Sequence, residues 1–359
     1  MSQSGSASFF AIVSNAVDGD IAVFRVDGST GGIERVARYP AGDAVMPMAL
    51  SSDARVLHAA TRGAKRSIVT YAVDSKSGEL AHVRTAFIES SLAYVSLTPY
   101  NDWLLGASYG ESSVSVYRAD SLMNAEAEPR QVIDGIVHAH AVIASSDGRY
   151  AYATSLGSDT VYCFAIVREA NDARLELVQK LDVESGFGPR HLRFSPDEKT
   201  LYVSSEFRAT LAVFSRDADT GTLSLRSVAP RAPALAHLND GCVRTAQIDP
   251  ATAASLVWGA DFQITPDGRF LYVAERTSSR LLGYRITREG SLDYTGYTDT
   301  ETQPRGFRID PSGRFLVACG EKSSHVAVYA IDTDSGALTT VSRCEGGLGA
   351  NWVEIVVQT

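Results

Sequence analysis

The chain has 359 residues, of which 45% are hydrophobic and 21% charged, so it can bury a large core as two ordinary domains or as one closed β architecture. Its formal net charge of -9 and pI near 5.3 exclude a nucleic-acid partner, which would need concentrated Lys and Arg, and confine any basic site to a local patch. Cys163, Cys242, Cys319 and Cys344 form no CxxC pair, so they read as reduced thiols and signal neither a zinc knuckle nor a disulfide framework.

Met1 to Ser8 is Ser-rich and has neither the basic start nor the apolar run of a signal peptide. No later stretch has the length and apolarity of a membrane span. The reading is a disordered tail over 1–8 followed by a soluble, cytoplasmic protein that touches no membrane. Phe9 to Val13 and Ile21 to Val26 then form a strand pair with no inner strand before it.

From there a turn signature recurs: Ser51-Ser52-Asp53-Ala54-Arg55, Thr98-Pro99-Tyr100-Asn101-Asp102, Ser145-Ser146-Asp147-Gly148-Arg149, Ser195-Pro196-Asp197-Glu198-Lys199, Thr265-Pro266-Asp267-Gly268-Arg269 and Asp310-Pro311-Ser312-Gly313-Arg314. Each is followed by an apolar strand such as Phe270 to Ala274, then by strands of aromatic and β-branched alternation such as Val114 to Tyr117, Leu211 to Phe214 and Val326 to Tyr329, which makes four strands per unit. The period is roughly 45–50 residues, with one interval of about 70, as in propeller blades with a single insertion. That insertion falls at about 230–256, and its Asn239-Asp240-Gly241 reads as a loop turn. Trp352 to Val357 is an inner strand with no hairpin after it, so pairing with the N-terminal strands would complete a seventh blade and remove the open edge. The predicted fold is therefore all-β, one seven-bladed propeller of four-stranded antiparallel blades over 9–359.

The register of the repeats also locates a site. Positions equally distant from their hairpin turns lie at the same end of their strands. Seven residues before the third turn residue stand Met46, Ala93, His140, Arg190, Ala260 and Arg305, with Asn351 as the seventh member by alignment of Gly349-Ala350-Asn351-Trp352 with Gly188-Pro189-Arg190-His191; nine residues after it stand Arg62, Tyr109, Leu156, Glu206, Arg276 and Glu321. Both rings belong to one funnel mouth, opposite the hairpin turns. The guanidinium groups suit a small ligand bearing carboxylate or phosphate. His140 and Glu206 are candidate proton acceptors, and an Arg could stabilise an oxyanion. An Arg-rich ring disfavours a divalent cation, so no metal is expected.

Each residue has a structural alternative. The Arg and Glu could be inter-blade ion pairs, and His138 and His140 could be satisfied channel histidines, although ring position favours His140. His191, Asp261 and Trp352 stand one residue further along, where strict alternation points side chains at the neighbouring blade. The Asp-Gly-Arg turns are hairpin chemistry.

Several segments carry a resemblance to the cytoplasmic seven-bladed propeller lactonases of the 6-phosphogluconolactonase family: Gly188 to Pro196, Trp258 to Arg269 with Arg276-Thr277, Thr300 to Phe307 and Gly320 to Ser323, with shorter matches at Pro47-Met48, Ser108-Tyr109 and Trp352-Val353. The resemblance implies hydrolysis of 6-phosphoglucono-δ-lactone by water, without a cofactor. The same superfamily looks to include carboxymuconate-cyclising enzymes, whose channel His, two Arg and Glu match His140, Arg190, Arg276 and Glu206. The expected catalytic set is thus His140, Glu206, Arg190 and Arg276. The expected substrate-binding set is Arg305, Arg62, Tyr109, Asn351, Glu321, Lys322 and His191. Glu321 replaces the family's usual Gln and could disfavour a phosphate tail, which keeps open a non-phosphorylated aldonic or aldaric lactone, or a cyclase. An interaction scaffold is the non-enzyme alternative, expected to show apolar and aromatic hot spots instead of a guanidinium-lined funnel. A closed propeller needs no partner subunit, so a monomer is the default.

Overall fold

The structure, a computed structural model, describes residues 7–170, 172–245 and 247–359. In four of the repeated turns the first residue's hydroxyl donates to the third residue's carboxylate: Ser51 to Asp53, Ser145 to Asp147, Ser195 to Asp197 and Thr265 to Asp267, each at 2.6 Å. The fourth residue is left-handed in all six turns, with φ of 57° at Ala54, 57° at Asn101, 67° at Gly148, 53° at Glu198, 70° at Gly268 and 73° at Gly313. Backbone geometry therefore explains the Gly of the Asp-Gly-Arg copies.

Among the described residues, twenty-eight strands form seven four-stranded antiparallel sheets. This is the seven-bladed β-propeller that the repeats predict. The inner strands of blades 1 to 7 are Val45–Leu50, Leu92–Leu97, Ala139–Ala144, Pro189–Phe194, Gly259–Ile264, Pro304–Ile309 and Ala350–Val357. Each packs against the inner strands on either side, which closes a ring around one axis. Blade 7 takes its inner strand from the C-terminus and its other three, Phe9–Asn15, Asp20–Val26 and Ile33–Pro40, from the N-terminus. Phe9 lies opposite Val357 and Asn15 opposite Ala350, so the chain ends fasten each other and leave no open edge. Of the tail expected over 1–8, residues 1–6 lie outside the described residues. Ser8 is tied in, its carbonyl accepting from Gln358 N at 2.9 Å and its hydroxyl from Gly28 N at 3.3 Å.

The core lies in the seams between blades. Tyr202, Leu211 and Val213 of blade 4 meet Phe262, Leu271 and Val273 of blade 5, and Phe270 and Tyr272 of blade 5 meet Phe307, Leu316 and Tyr329 of blade 6. Each such burial contributes about 1.5–3 kcal/mol. Second strands such as Tyr150–Ser155 and Thr200–Ser205 are buried along their whole length, because both faces of the sheet are covered, and they read as apolar runs. Outer strands such as Ile33–Pro40 are largely exposed.

Between Leu223–Val228 of blade 4 and the inner strand of blade 5, the insertion holds a 3-10 turn at Pro233–Leu235 and a single-turn helix at Pro250–Ala253. Gly241 N donates to Phe207 O at 2.7 Å and Val257 N to Asn239 O at 2.9 Å, which ties the segment to the end of blade 4. A Cβ on Gly241 would stand 2.2 Å from Val257 O, so the approach requires glycine. Among the described residues no helix is long and apolar enough to cross a membrane.

Candidate functional site

In every blade the ladder between inner and second strands slips where the inner strand begins. The slips fall between Val45 and Met48, Leu92 and Tyr94, Ala139 and Ala141, Pro189 and Leu192, Gly259 and Phe262, and Pro304 and Phe307; in blade 7, Trp352 pairs with Ser14 but Ala350 with Asn15. All seven members of the first ring, Met46, Ala93, His140, Arg190, Ala260, Arg305 and Asn351, sit inside these slips. A bulge breaks the period of two and re-aims the side chain it contains. His191, Asp261 and Trp352, where strict alternation favours blade packing, line the same axial cavity as Arg190, Arg305 and Asn351 for the same reason; His191, also expected to bind substrate, is thereby placed at that cavity.

Glu206 is the hub of the site. Arg190 Nε donates to its Oε2 at 2.8 Å, and Arg276 Nη2 stands 3.1 Å from its Oε1. His140 Nε2 is 3.9 Å from Oε2, beyond hydrogen-bond reach, and His140 Nδ1 has no hydrogen-bond partner among the described residues. Relative exposure is 1% for Arg190, 4% for His140 and 6% for both Glu206 and Arg276, so the quartet is buried at the foot of the mouth. Arg276 is held from behind by the carbonyls of Trp258 and Gly259, at 3.2 Å each. Gly259 is required there, since a Cβ would stand 2.3 Å from Ser205 O. Arg190 Nη1 donates to His191 Nε2 at 3.0 Å, and His191 Nδ1 lies 2.8 Å from Asp261 Oδ1. These partners fix the tautomer, because a guanidinium can only donate and a carboxylate only accept. Arg190 Nη2 and Arg276 Nη1 make no hydrogen bond to the described residues.

The remaining expected residues lie around this quartet. Tyr109 stands edge-on to His140, with ring centroids 6.1 Å apart, and stacks on His138 at 4.3 Å. Arg305 Nη1 holds Glu321 Oε1 at 2.7 Å while Gln303 holds the other oxygen. Arg62 Nε donates to Ser91 Oγ at 3.0 Å. Lys322 lines a cleft that also reaches Arg276. Asn351 is different: its Nδ2 donates to Gly349 O at 2.9 Å and Val45 O at 3.2 Å, and its Oδ1 accepts from Ser14 Oγ at 3.2 Å. Its amide links blade 7 to blade 1, while the residue also lines the axial cavity.

Electrostatics sort the groups further. Burial, reinforced by Arg190, His191, Arg305 and Arg276, holds the His140 imidazole well below its ordinary value, so it is neutral at pH 7. Burial would raise the Glu206 carboxyl, but Arg276, Arg190 and Arg305 outweigh it and keep Glu206 ionised. Glu321 is likewise pulled down against burial, by Arg305 and Arg276. Burial lowers Arg190 to about 9, with Glu206 opposing, which leaves it a cation. Burial pushes Tyr109 up to about 12, so it keeps its O–H. Arg62, Arg190, Arg276 and Arg305 thus stand with the carboxylates of Glu206, Glu321 and Asp261 around a neutral imidazole, a locally positive mouth in a protein of net charge -9.

A family model described as "Lactonase, 7-bladed beta-propeller" matches residues 9–354. The chain belongs to the seven-bladed β-propeller lactonase family. It is 34% identical over 315 residues to the 6-phosphogluconolactonase of Photorhabdus laumondii, covering 87% of this chain and 88% of that protein. It is 33% identical over 335 residues to the 6-phosphogluconolactonase of Serratia proteamaculans, covering 91% and 93%. The periplasmic gluconolactonase of Pseudomonas aeruginosa shares the fold, with a TM-score of 0.83 at 24% identity over 98% of this chain and 100% of that one.

Within the lactonase fold, Asp261, Gln303, Arg244 and Trp258 are neighbours of the site that the ring count does not supply. Asp261 was within reach, since it follows a ring position in blade 5 as His191 does in blade 4; only the bulges turn that adjacency into a contact. Among the described residues no three His, Cys, Asp or Glu side chains are grouped to hold a metal ion.

Proposed function

We propose that the protein hydrolyses 6-phosphoglucono-δ-lactone to the open-chain acid, with His140 as the base. The observation that carries this reading is a buried, neutral imidazole with no hydrogen-bond partner among the described residues, beside a carboxylate that bridges two arginines. Glu206 suits the base less well, because both its oxygens are already engaged by guanidinium groups. Its part is to fix Arg190 and Arg276.

Water attacks the ring ester carbonyl carbon and passes a proton to His140. The oxyanion then forming meets the unengaged Nη2 of Arg190 or Nη1 of Arg276, a contact of the kind worth about 3 kcal/mol. Collapse of the tetrahedral species breaks the bond from the carbonyl carbon to the ring oxygen. That oxygen takes the proton back from His140 and leaves as a hydroxyl, so the imidazole ends neutral, as it began. Tyr109 and Arg62 stand at the mouth to orient the sugar. The four free thiols suit a reducing compartment, which supports a cytoplasmic location.

The test is stopped-flow indicator detection of acid release from freshly made 6-phosphoglucono-δ-lactone, beside glucono-δ-lactone and an aldaric acid lactone. Fast turnover of the phosphorylated compound, lost in His140→Ala, is the expected result. Preference for a non-phosphorylated lactone moves the substrate, and no turnover of any lactone overturns the reading in favour of a cyclase or a binding propeller.

A further inference from the structure

The insertion forms one wall of a second cleft, of about 520 Å³, whose other wall is built by the mouths of blades 5 and 6. Arg244 comes from the insertion, Trp258 and Arg276 from blade 5, and Lys322 and Gln303 from blade 6. Three of the lining residues are cations and none is Asp or Glu, although acidic residues outnumber basic ones in the chain, 42 to 33. Neither the Arg244 guanidinium nor the Lys322 ammonium makes an ion pair or hydrogen bond with the described residues, and Lys322 is tied only through its backbone N–H, on Thr302 O at 3.2 Å. The contrast with Arg231 of the same insertion is direct, since that side chain pairs with Asp240 at 2.8 Å.

Arg244 is nonetheless held in place. Its guanidinium stands 5.6 Å from the centroid of the Trp258 ring, and Trp258 is fixed by its Nε1 bond to Ala253 O at 3.0 Å and by its N–H on Glu275 Oε1 at 2.8 Å. A guanidinium stacked on an aromatic face keeps its edge donors free for an oxyanion. Of the carboxylates beside the cleft, Glu321 is engaged by Arg305 and Gln303, Glu275 by the N–H groups of Trp258, Thr277 and Ser278, and Glu206 by Arg190 and Arg276. Arg276 joins the two sites, because the side chain that lines the cleft also contacts Glu206 at 3.1 Å.

We propose that this cleft is the subsite for the phosphate of the substrate, with Arg244 and Lys322 as its specificity-determining cations. The assignment rests on the lactonase reading and deepens it: with the lactone carbonyl at Arg190 and Arg276, the exocyclic phosphate crosses Arg276 into the insertion's cleft. Both cations are peripheral to the core, so their removal leaves the seams between blades intact.

The experiment compares kcat/KM for 6-phosphoglucono-δ-lactone and glucono-δ-lactone in wild type, Arg244→Ala, Lys322→Ala and the double variant, with thermal unfolding as a check on the fold. The ratio of the two specificity constants is expected to fall at least tenfold in the double variant, mainly through KM for the phosphorylated substrate. A ratio unchanged within about twofold, with or without a common loss on both substrates, overturns the subsite. If wild type hydrolyses neither lactone, the lactonase reading falls and the cleft is judged apart from it, by calorimetric binding of 6-phosphogluconate: a Kd raised tenfold in the double variant supports the subsite, and an unchanged Kd overturns it.

Discussion

Arg190 Nη1 rests on His191 Nε2 at 3.0 Å, and His191 Nδ1 rests on Asp261 Oδ1 at 2.8 Å. The second contact keeps the proton on Nδ1, and that proton's position is what gives Arg190 an acceptor. On the proposed mechanism Asp261, which lines the same cavity, serves Arg190 through His191 as a positioning residue. Asp261→Asn is expected to lower kcat about 10-fold with little change in KM, on the order of 1.4 kcal/mol. His191→Gln, which retains an acceptor for Arg190, should keep more activity than His191→Phe. Equal activities for Gln and Phe would show that His191 merely fills space.

Arg190 and Arg276 are assigned the developing oxyanion. Arg190→Ala and Arg276→Ala are each expected to cut turnover about 100-fold or more, on the scale of one lost oxyanion donor. Arg190→Ala also leaves Glu206 short of one of its two cations, so its unfolding midpoint must be measured alongside. Variants that fold and keep turnover within about twofold of wild type would dismiss the assignment.

The chemistry of the turns made the fold readable, because a polar first residue and a left-handed fourth residue recur in all six hairpins. Counting from those turns also found Arg190, Glu206, Arg276 and His140. The count worked because the bulge that displaces each ring residue recurs in every blade, so it shifts all seven together. It failed at His191 and Asp261, where alternation was extended across a bulge that leaves no mark in residue type. It was also silent on Arg244, whose segment occurs once and so has no repeat to be counted against. Asn351 was located correctly, but a ring position says nothing of whether an amide's donors are already engaged.

The pH dependence of the reaction follows from His140. A base must be neutral to act, and burial among cations holds this imidazole well below 6.5. The profile of kcat/KM, which reports the free enzyme, should stay level as pH falls through 6.5, where an ordinary histidine would have lost half the activity. It should decline only at lower pH. A midpoint at or above 6.5 would remove His140 from the role of base.

Asn351 offers a way to separate structure from substrate contact. Its amide serves Gly349 O, Val45 O and Ser14 Oγ at the joint between blades 7 and 1. Asn351→Ala leaves those buried partners unmet and should destabilise the fold by about 2–4 kcal/mol, read from urea unfolding. KM should change by less than about twofold. A raised KM at full stability would give Asn351 the sugar-orienting part.

Acid stability ties the site to the fold. Burial lowers His58 to about 4 and His191 to about 3, the latter with help from Arg190, and holds His140 well down. In the unfolded chain each titrates near 6.5. Between pH 6.5 and about 4 the unfolded chain therefore takes up protons that the folded state refuses, so stability falls as pH falls, by about 1.4 kcal/mol per pH unit for each histidine. Glu206 and Glu321 act in the same direction but at lower pH: their lowered values give stability that is complete above the ordinary carboxylate range and lost only below it. The window from pH 6.5 to 5 thus belongs to the histidines, with a combined slope of up to about 4 kcal/mol per pH unit. His58 isolates one share of it, because its ring contacts Thr70 at 2.9 Å in blade 1, away from the mouth. In urea unfolding at pH 7, 6 and 5, His58→Leu should flatten the slope by about a third, whatever it does to stability at pH 7. A wild-type slope near zero in that window, or one indifferent to His58→Leu, would mean that the buried imidazoles take up their protons without unfolding the protein.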